Sequence, residues 1–400
     1  MDLVTLPDAD WRQRADMVAL ADVLGAGAGE TRVVGGAVRD TLLGLVVADV
    51  DLATRHPPQT VLDRLRKAGI KAVPTGLAHG TVTAVLASGP VEVTTLRRDV
   101  ATDGRHAIVD YTDDWREDAA RRDFTINALY ADPSTGKLFD YFDGLADLVA
   151  RRVRFIGDPL ERIAEDHLRI LRYFRFHARF GDTPDTAGLD ACTARANDLM
   201  ALSRERIAME LSKLLVARGA VPVVRLMLTR GIFAPIVPEI DADGVDRLAR
   251  LADAEAAAAI APDPVRRLAA LLPPTPETAD PIAARLKLSN ADRKRLSAAL
   301  TPIDEATGVA LAYRRGTSGA IDALLLADSP AAAARLVGRE PPRLPVGGGA
   351  LVRRGIKAGP DVARLLRQIE RQWIDESFPP ADRVEQLADQ AAEEWLRAIR

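Results

Sequence analysis

VVGGAVRDTLLG at residues 33–44, followed by ADVDLAT at 48–54, is the stretch that decides the fold. The second segment predicts a strand, and strand side chains alternate between faces. Asp49 and Asp51 are therefore expected to project together, with Val50 and Leu52 turned the other way into a core. Two carboxylates one strand pitch apart can share a hard divalent cation such as Mg²⁺, which prefers oxygen ligands and accepts substrate phosphates in its shell. Upstream, Gly35 and Gly36 stand where a strand passes into a helix. Glycine lets backbone approach a phosphate there, and free N–H groups with the helix dipole favour the anion. Arg39, one turn into that helix, adds a fork of donors suited to phosphate oxygens.

Each half of this signal is weak alone. The diglycine is not a P-loop, because no Gly-Lys-Ser/Thr follows, and it lacks the glycine spacing of a dinucleotide fold. The Asp-x-Asp spacing recurs at Asp241 and Asp243, but there it follows Pro238 and reads as a solvated loop. Strand context, with a phosphate-loop candidate about ten residues upstream, separates Asp49 and Asp51 from that second pair.

Composition limits what such a site can serve. The 400 residues carry 54 Lys+Arg against 57 Asp+Glu, a formal charge of −3, so any nucleic-acid surface must be a local patch. A single cysteine, Cys192, excludes an internal disulfide and a cysteine-rich zinc site. The chain opens without a basic segment and apolar run of the secretory kind. No apolar stretch approaches the roughly 18–20 residues needed to cross a bilayer. A soluble cytoplasmic protein is expected.

Up to about residue 155, β-rich runs alternate with helices. Predicted strands fall at 32–35, 50–54, 80–86, 91–96 and 137–141. Beyond, Ala/Leu/Arg-rich helical windows are punctuated by proline near 181–184, 235–238, 262–264, 273–281 and 341–349. Strands with helices followed by helices alone imply an α+β head joined to an all-α remainder. The alanine runs at 256–259 and 331–334 read as strong helix formers.

Further candidates lie outside the opening stretch. Glu92, on the 91–96 strand, could join the two aspartates across a sheet, as ligand or proton acceptor, or could be an exposed edge charge. RRDFTINAL at 121–129 looks like a helix start with Asp123 as its N-cap. Arg121 and Arg122 would then hold phosphates or remain solvated. EDHLRILRYFR at 165–175 predicts one continuous helix. Leu168, Ile170, Leu171 and Phe174 share its apolar face, and Asp166, Arg169 and Arg172 share the other. An amphipathic helix laced with ion pairs accounts for that spacing. So does a base-reading edge: Asp166 as acceptor and Arg169 as donor would take the Watson–Crick edges of C and A while rejecting U and G. All five histidines fall within the first 177 residues, and none forms a metal-binding pair.

Taken in order, these pieces resemble the class II tRNA nucleotidyltransferases, which share their head with bacterial poly(A) polymerases. The matching segments are 35–44, 49–54, 121–129, DGLADL at 143–148 and EDHLR at 165–169, with a weaker match at 206–213 and a tail turn at 355–360. The resemblance implies a polymerase-β-like nucleotidyltransferase head, a small mixed sheet with helices, over 1–155. A helical neck that recognises the base would cover 156–240, and a helical body and tail binding tRNA would cover 241–400. It also implies that Asp49 and Asp51 hold Mg²⁺, and that Gly35, Gly36 and Arg39 contact phosphates. Arg122, Asp166, Arg169, Arg172 and Arg175 would bind the nucleotide, with Asp166 and Arg169 as a protein template. Residues 97–113, with Gly104 and many charges, correspond to a mobile loop. The implied activity is addition of C and A from CTP and ATP to the tRNA 3′ end, with pyrophosphate released. The alternative is a poly(A) polymerase. Those enzymes carry a basic aromatic run before the third strand where this chain has GLAHGTV at 76–82, which points to the tRNA branch.

Overall fold

The computed structural model describes residues 5–103, 106–303 and 307–398. The chain divides into two compact units, Met1–Pro238 and Glu239–Arg400. It is α+β, with every described strand in the first unit.

The first unit is built on a seven-stranded mixed sheet of order β3-β4-β5-β2-β1-β8-β9. These are β1 (Thr31–Val34), β2 (Asp51–Thr54), β3 (Lys71–Gly76), β4 (Thr81–Leu86), β5 (Gly89–Thr95), β8 (Leu129–Ala131) and β9 (Leu138–Asp140). The central pairs set the faces. β1 runs antiparallel to β2 with Val33 opposite Leu52, and β2 runs parallel to β5 with Leu52 opposite Val93. Val33, Leu52 and Val93 are fully buried, so one row of aliphatic side chains fixes the register. The neighbouring row, on the opposite face, is Val34, Asp51 and Glu92.

The strand expected over 48–54 begins only at Asp51; Asp49 and Val50 lie in the irregular segment leading into it. The helix expected from 121–129 is absent. A single 3₁₀ turn, Thr125–Asn127, leads into β8, because Tyr130 and Ala131 pair with the free edge of β1. Residues 143–148 open a short helix, Gly144–Val149. A Cβ on Gly144 would stand 2.3 Å from the Thr125 carbonyl oxygen, so only glycine allows this contact. The described part of the expected loop is a ribbon, β6 (Arg97–Asp103) against β7 (His106–Tyr111). Gly104 lies outside the described residues.

The helix predicted across 165–175 is interrupted. One helix, Pro159–Glu165, ends as Asp166 turns extended (φ −151°, ψ 105°), and a second runs Leu168–Phe180. Asp166 accepts the Leu168 N–H at 3.1 Å, so its side chain competes with the helix for backbone donors.

The second unit is helical. Asp241 is exposed as expected, but the segment is a helix start rather than a loop: Asp241 caps the helix Ala242–Ala257 by accepting the Gly244 N–H at 2.7 Å. A buried ion network joins Arg266 and Arg267 to Glu255 and ties Arg266 and Arg295 to Asp322. Trp373, Leu365, Ile369, Val384 and Leu387 form a separate core nearer the C-terminus. Among the described residues no helix is long and apolar enough to cross a membrane.

Candidate active site

β1 ends at Val34, and Gly35 reverses the chain with φ 72°, a conformation costly to side chains bearing a Cβ, into the helix Gly36–Leu42. Its N–H donates to the Leu129 carbonyl at 3.0 Å, which ties this turn to β8. The helix starts beside Asp51, since Asp51 is the register partner of Val34. Gly35, Gly36, Arg39, Asp49 and Asp51 consequently border one cavity of about 750 Å³.

The same cavity is lined by Arg122, Asp166, Arg169, Arg172 and Arg175. Of the residues expected from the sequence to act at the site, Glu92 alone does not border it. Glu92 is exposed beside Asp51 on the parallel neighbouring strand. Among the described residues no set of three or more His, Cys, Asp or Glu stands at metal-binding spacing. Glu92, Asp49 and Asp51 are not gathered into such a set.

The carboxylates nevertheless feel one another. Burial pushes Asp51 up to about 6; Glu92 and Asp49 push the same way, and only Arg122 opposes them. A half-buried carboxylate raised by like charges is the arrangement a hard cation relieves, and the donor set is all oxygen. The cavity lining otherwise favours anions: eight Arg or Lys side chains face four aspartates.

These cations are held by residues the sequence did not mark. Asp118, on the helix Trp115–Ala120, is 1 % exposed and accepts from Arg121 at 2.7 and 2.9 Å, from Arg122 at 3.2 Å and from the Tyr130 hydroxyl at 2.6 Å. Burial pushes Asp118 up, but Arg122, Arg121 and Tyr130 outweigh it and hold it at about 2. Asp123, expected as an N-cap, turns inward. It accepts from the Phe124 N–H and the Asn127 amide, both at 2.9 Å, and from Arg172 Nε at 2.8 Å. Arg175 donates to the buried Glu210 at 2.5 Å. Arg39 is buried too. Its Nε and Nη2 meet Asp40 at 2.8 and 2.7 Å, Nη1 donates to Asn127, and the guanidinium carbon lies 4.2 Å from the centre of the Phe180 ring. These contacts use three of its five donors, so Arg39 is oriented before any ligand arrives.

Asp166 and Arg169 share the cavity wall; the Arg169 N–H donates to the Asp166 carbonyl at 3.0 Å, while their side chains bond to other partners. Asp166 Oδ2 accepts from Arg206 at 2.8 Å. Arg169 donates to Glu165 at 2.5 Å and to the carbonyls of Arg162 and Arg121 at 3.0 and 3.2 Å. The acceptor and donor proposed for base reading thus sit on a rigid hydrogen-bonded frame, at the break between two helices rather than along one.

Comparison with known proteins places this geometry. The Poly A polymerase head domain matches residues 31–154, and a second model, described as a probable RNA and SrmB-binding site of polymerase A, matches 183–243. The human CCA tRNA nucleotidyltransferase 1, mitochondrial, is 35 % identical over 366 residues, 86 % of this chain and 82 % of that one. The chain belongs to the CCA tRNA nucleotidyltransferase family. A mouse member of the family is 47 % identical over a shorter span of 207 residues, 51 % of this chain and 48 % of that protein. Among solved members, the Bacillus stearothermophilus CCA-adding enzyme in complex with CTP superposes with a TM-score of 0.75. It is 27 % identical and covers 91 % of this chain and 94 % of that one.

In this member of the family, sequence reasoning missed Asp118, Asn127 and Arg206 as supports and Arg97 and Lys213 as lining residues. Asp118 was detectable, since it stands three and four residues before the Arg121–Arg122 pair on one helical turn. Arg206 was not, because it reaches Asp166 from forty residues away.

Proposed function

We propose that this chain adds C and then A, from CTP and ATP, to the 3′ end of tRNA. The observation that carries the reading is the single cavity joining the diglycine turn and Asp49/Asp51 to Asp166/Arg169. One wall suits a triphosphate and the other suits a base edge.

In this reading the terminal hydroxyl of the tRNA attacks the α-phosphate of the bound nucleotide, and pyrophosphate leaves. Gly35 and Gly36 allow the phosphates close to the backbone, while Arg39, Arg122, Arg172 and Arg175 neutralise them. Asp166 and Arg169 present an acceptor and a donor to the base, and U or G would leave those groups unpaired. Asp49 and Asp51 would hold Mg²⁺, which supplies charge neutralisation at the reacting phosphate and activation of the hydroxyl. Glu92, beside Asp51, would assist as a further carboxylate. Positioning and electrostatics supply most of the acceleration in phosphoryl transfer, and both are provided here by prearranged side chains. The division into head (1–155), neck (156–240) and body with tail (241–400), and a cytoplasmic location, belong to the same proposal.

The test is substitution of the carboxylates. Asp49→Ala and Asp51→Ala should each abolish nucleotide incorporation while tRNA still binds. Turnover retained by either variant refutes the assignment of the metal site.

A further inference from the structure

A second cavity, of about 770 Å³, adjoins the first, and Arg175 and Lys213 border both. Asp49 and Asp51, the carboxylates beside the reacting phosphate, do not border the second. Two helices set its position. Gly36–Leu42 starts at the first cavity, and Leu43, Leu45 and Val46, just past its end, wall the second about 10 Å further on. On the helix Leu168–Phe180, Arg175 stands at the shared boundary and Arg179 about 6 Å further along the axis, in the second cavity alone. The second cavity therefore continues the cationic wall away from the reacting centre.

Its polar lining is Arg151, Arg175, Arg179, Lys213 and Arg218, so every polar side chain there donates and none accepts. Arg175, Arg179 and Arg151 have carboxylate partners in Glu210, Asp40 and Asp182. Lys213 and Arg218 are exposed and have no ion-pair partner among the described residues. The rest of the wall is apolar, Leu43, Leu45, Val46 and Phe180 among it. Walls of low dielectric focus the field of charges of one sign. The end of the Gly36–Leu42 helix does little to oppose that field. The carbonyls of Arg39, Asp40 and Thr41 already accept the N–H groups of Leu43, Leu45 and Gly44 at 3.1, 2.8 and 3.0 Å.

We propose that this cavity receives the pyrophosphate released at each nucleotide addition and passes it to solvent, with Arg175 and Lys213 handing it across the boundary and Arg218 holding it on the far side. The inference rests on the function proposed above and names the route of that reaction's product. In-line displacement expels pyrophosphate on the side away from the attacking hydroxyl. The cations that continue past the boundary draw it onward and free the first cavity for the next nucleotide. Pyrophosphate is all acceptor, and it matches a lining that only donates. A second nucleotide fits less well, because its ribose hydroxyls and base amino group would meet no side-chain acceptor here. By reversal, the same passage admits pyrophosphate when a terminal nucleotide is removed from the RNA.

The experiment uses the full chain with Arg218→Glu and Arg218→Lys, at an exposed position outside the nucleotide cavity. Calorimetry follows pyrophosphate titrated into protein already saturated with CTP, without RNA, so the first cavity is filled and no turnover is needed. The parent should bind pyrophosphate under these conditions. Arg218→Glu should weaken that binding about tenfold or more, the loss of a charged hydrogen bond. Arg218→Lys should keep most of it, and both variants should bind CTP as the parent does. With tRNA present, the inhibition constant of pyrophosphate in C addition and its KM in the reverse reaction should rise together in Arg218→Glu, while the KM for CTP stays unchanged. A CTP-saturated parent that binds no pyrophosphate overturns the proposal, as does equal pyrophosphate affinity in Arg218→Glu. Two CTP bound per chain in place of pyrophosphate would overturn it in favour of a waiting nucleotide. A parent that binds pyrophosphate in this way yet extends no tRNA keeps the anion site and overturns the function it was assigned to serve.

Discussion

Asp51 and Glu92 stand opposite each other in register on the parallel β2–β5 pair, and the charge of Glu92 helps raise Asp51. Strands lie about 4.8 Å apart, so the charge of Glu92 acts on Asp51 although Glu92 stands outside the cavity. In the proposed mechanism, with Glu92 as a further carboxylate, Glu92→Gln should lower the rate of incorporation at saturating CTP on the order of 100-fold, the usual scale for a lost acid–base or ligand group. Because Glu92 is exposed, the unfolding free energy should change by less than about 0.5 kcal/mol. Single-turnover kinetics and chemical denaturation measure the two effects separately.

Removal of Arg172 should act on stability. The carboxyl of Asp123 is buried, and Arg172 is its only cationic hydrogen-bond partner among the described residues. Arg172→Ala leaves that charge unpaired and should cost about 3 kcal/mol. Adding Asp123→Asn should recover part of the loss. A strictly additive double mutant in urea denaturation would show that the two side chains are not coupled.

Selectivity should depend on Asp166 and Arg169 in a way ordinary ion pairs would not. Asp166→Ala should bring kcat/KM for UTP about 10- to 100-fold closer to that for CTP, since each buried mismatch is worth about 1–3 kcal/mol. Arg206→Ala serves as the control: it removes the partner of Asp166 and leaves the acceptor in place. If UTP and GTP remain excluded to the same degree in Asp166→Ala and Arg169→Ala, these residues only brace the helix junction.

Asp118 gives the protein an acid-sensitive support. Its folded pKa of about 2 lies below the ordinary 3.8, so the protonated form is disfavoured in the folded state. Its contribution is fully present above pH 3.8 and is lost as pH falls from there through 2. A shift of that size corresponds to about 2 kcal/mol. Denaturation midpoints measured between pH 5 and 2 should fall more steeply for the parent than for Asp118→Asn, which cannot titrate. Parallel profiles would contradict the assignment.

The opening stretch was legible because its rules are local. Alternation predicted Leu52 inward and Asp51 on the other face, and the diglycine marked the turn into a helix. Segments governed by distant partners were not legible. Residues 121–129 carry a fair helix signature, yet Tyr130 and Ala131 complete the free edge of β1, and Asp123 turns inward to meet a side chain 49 residues later. The break at Asp166 was hidden in the same way: the periodicity runs through it, while the capping carboxylate and Arg206 stop the helix there. Exposed Glu92 could be placed beside Asp51 only once the register of β5 was known.

The central claim is that one cavity reads C and A and delivers them to a tRNA end in order. The most direct measurement incubates the purified protein with tRNA transcripts ending before the CCA, after its first C and after its second C, supplying one nucleotide at a time with Mg²⁺. The account predicts incorporation of C on the first two, of A on the third, and no extension with UTP or GTP. Long tails made from ATP alone on RNAs unrelated to tRNA would contradict it.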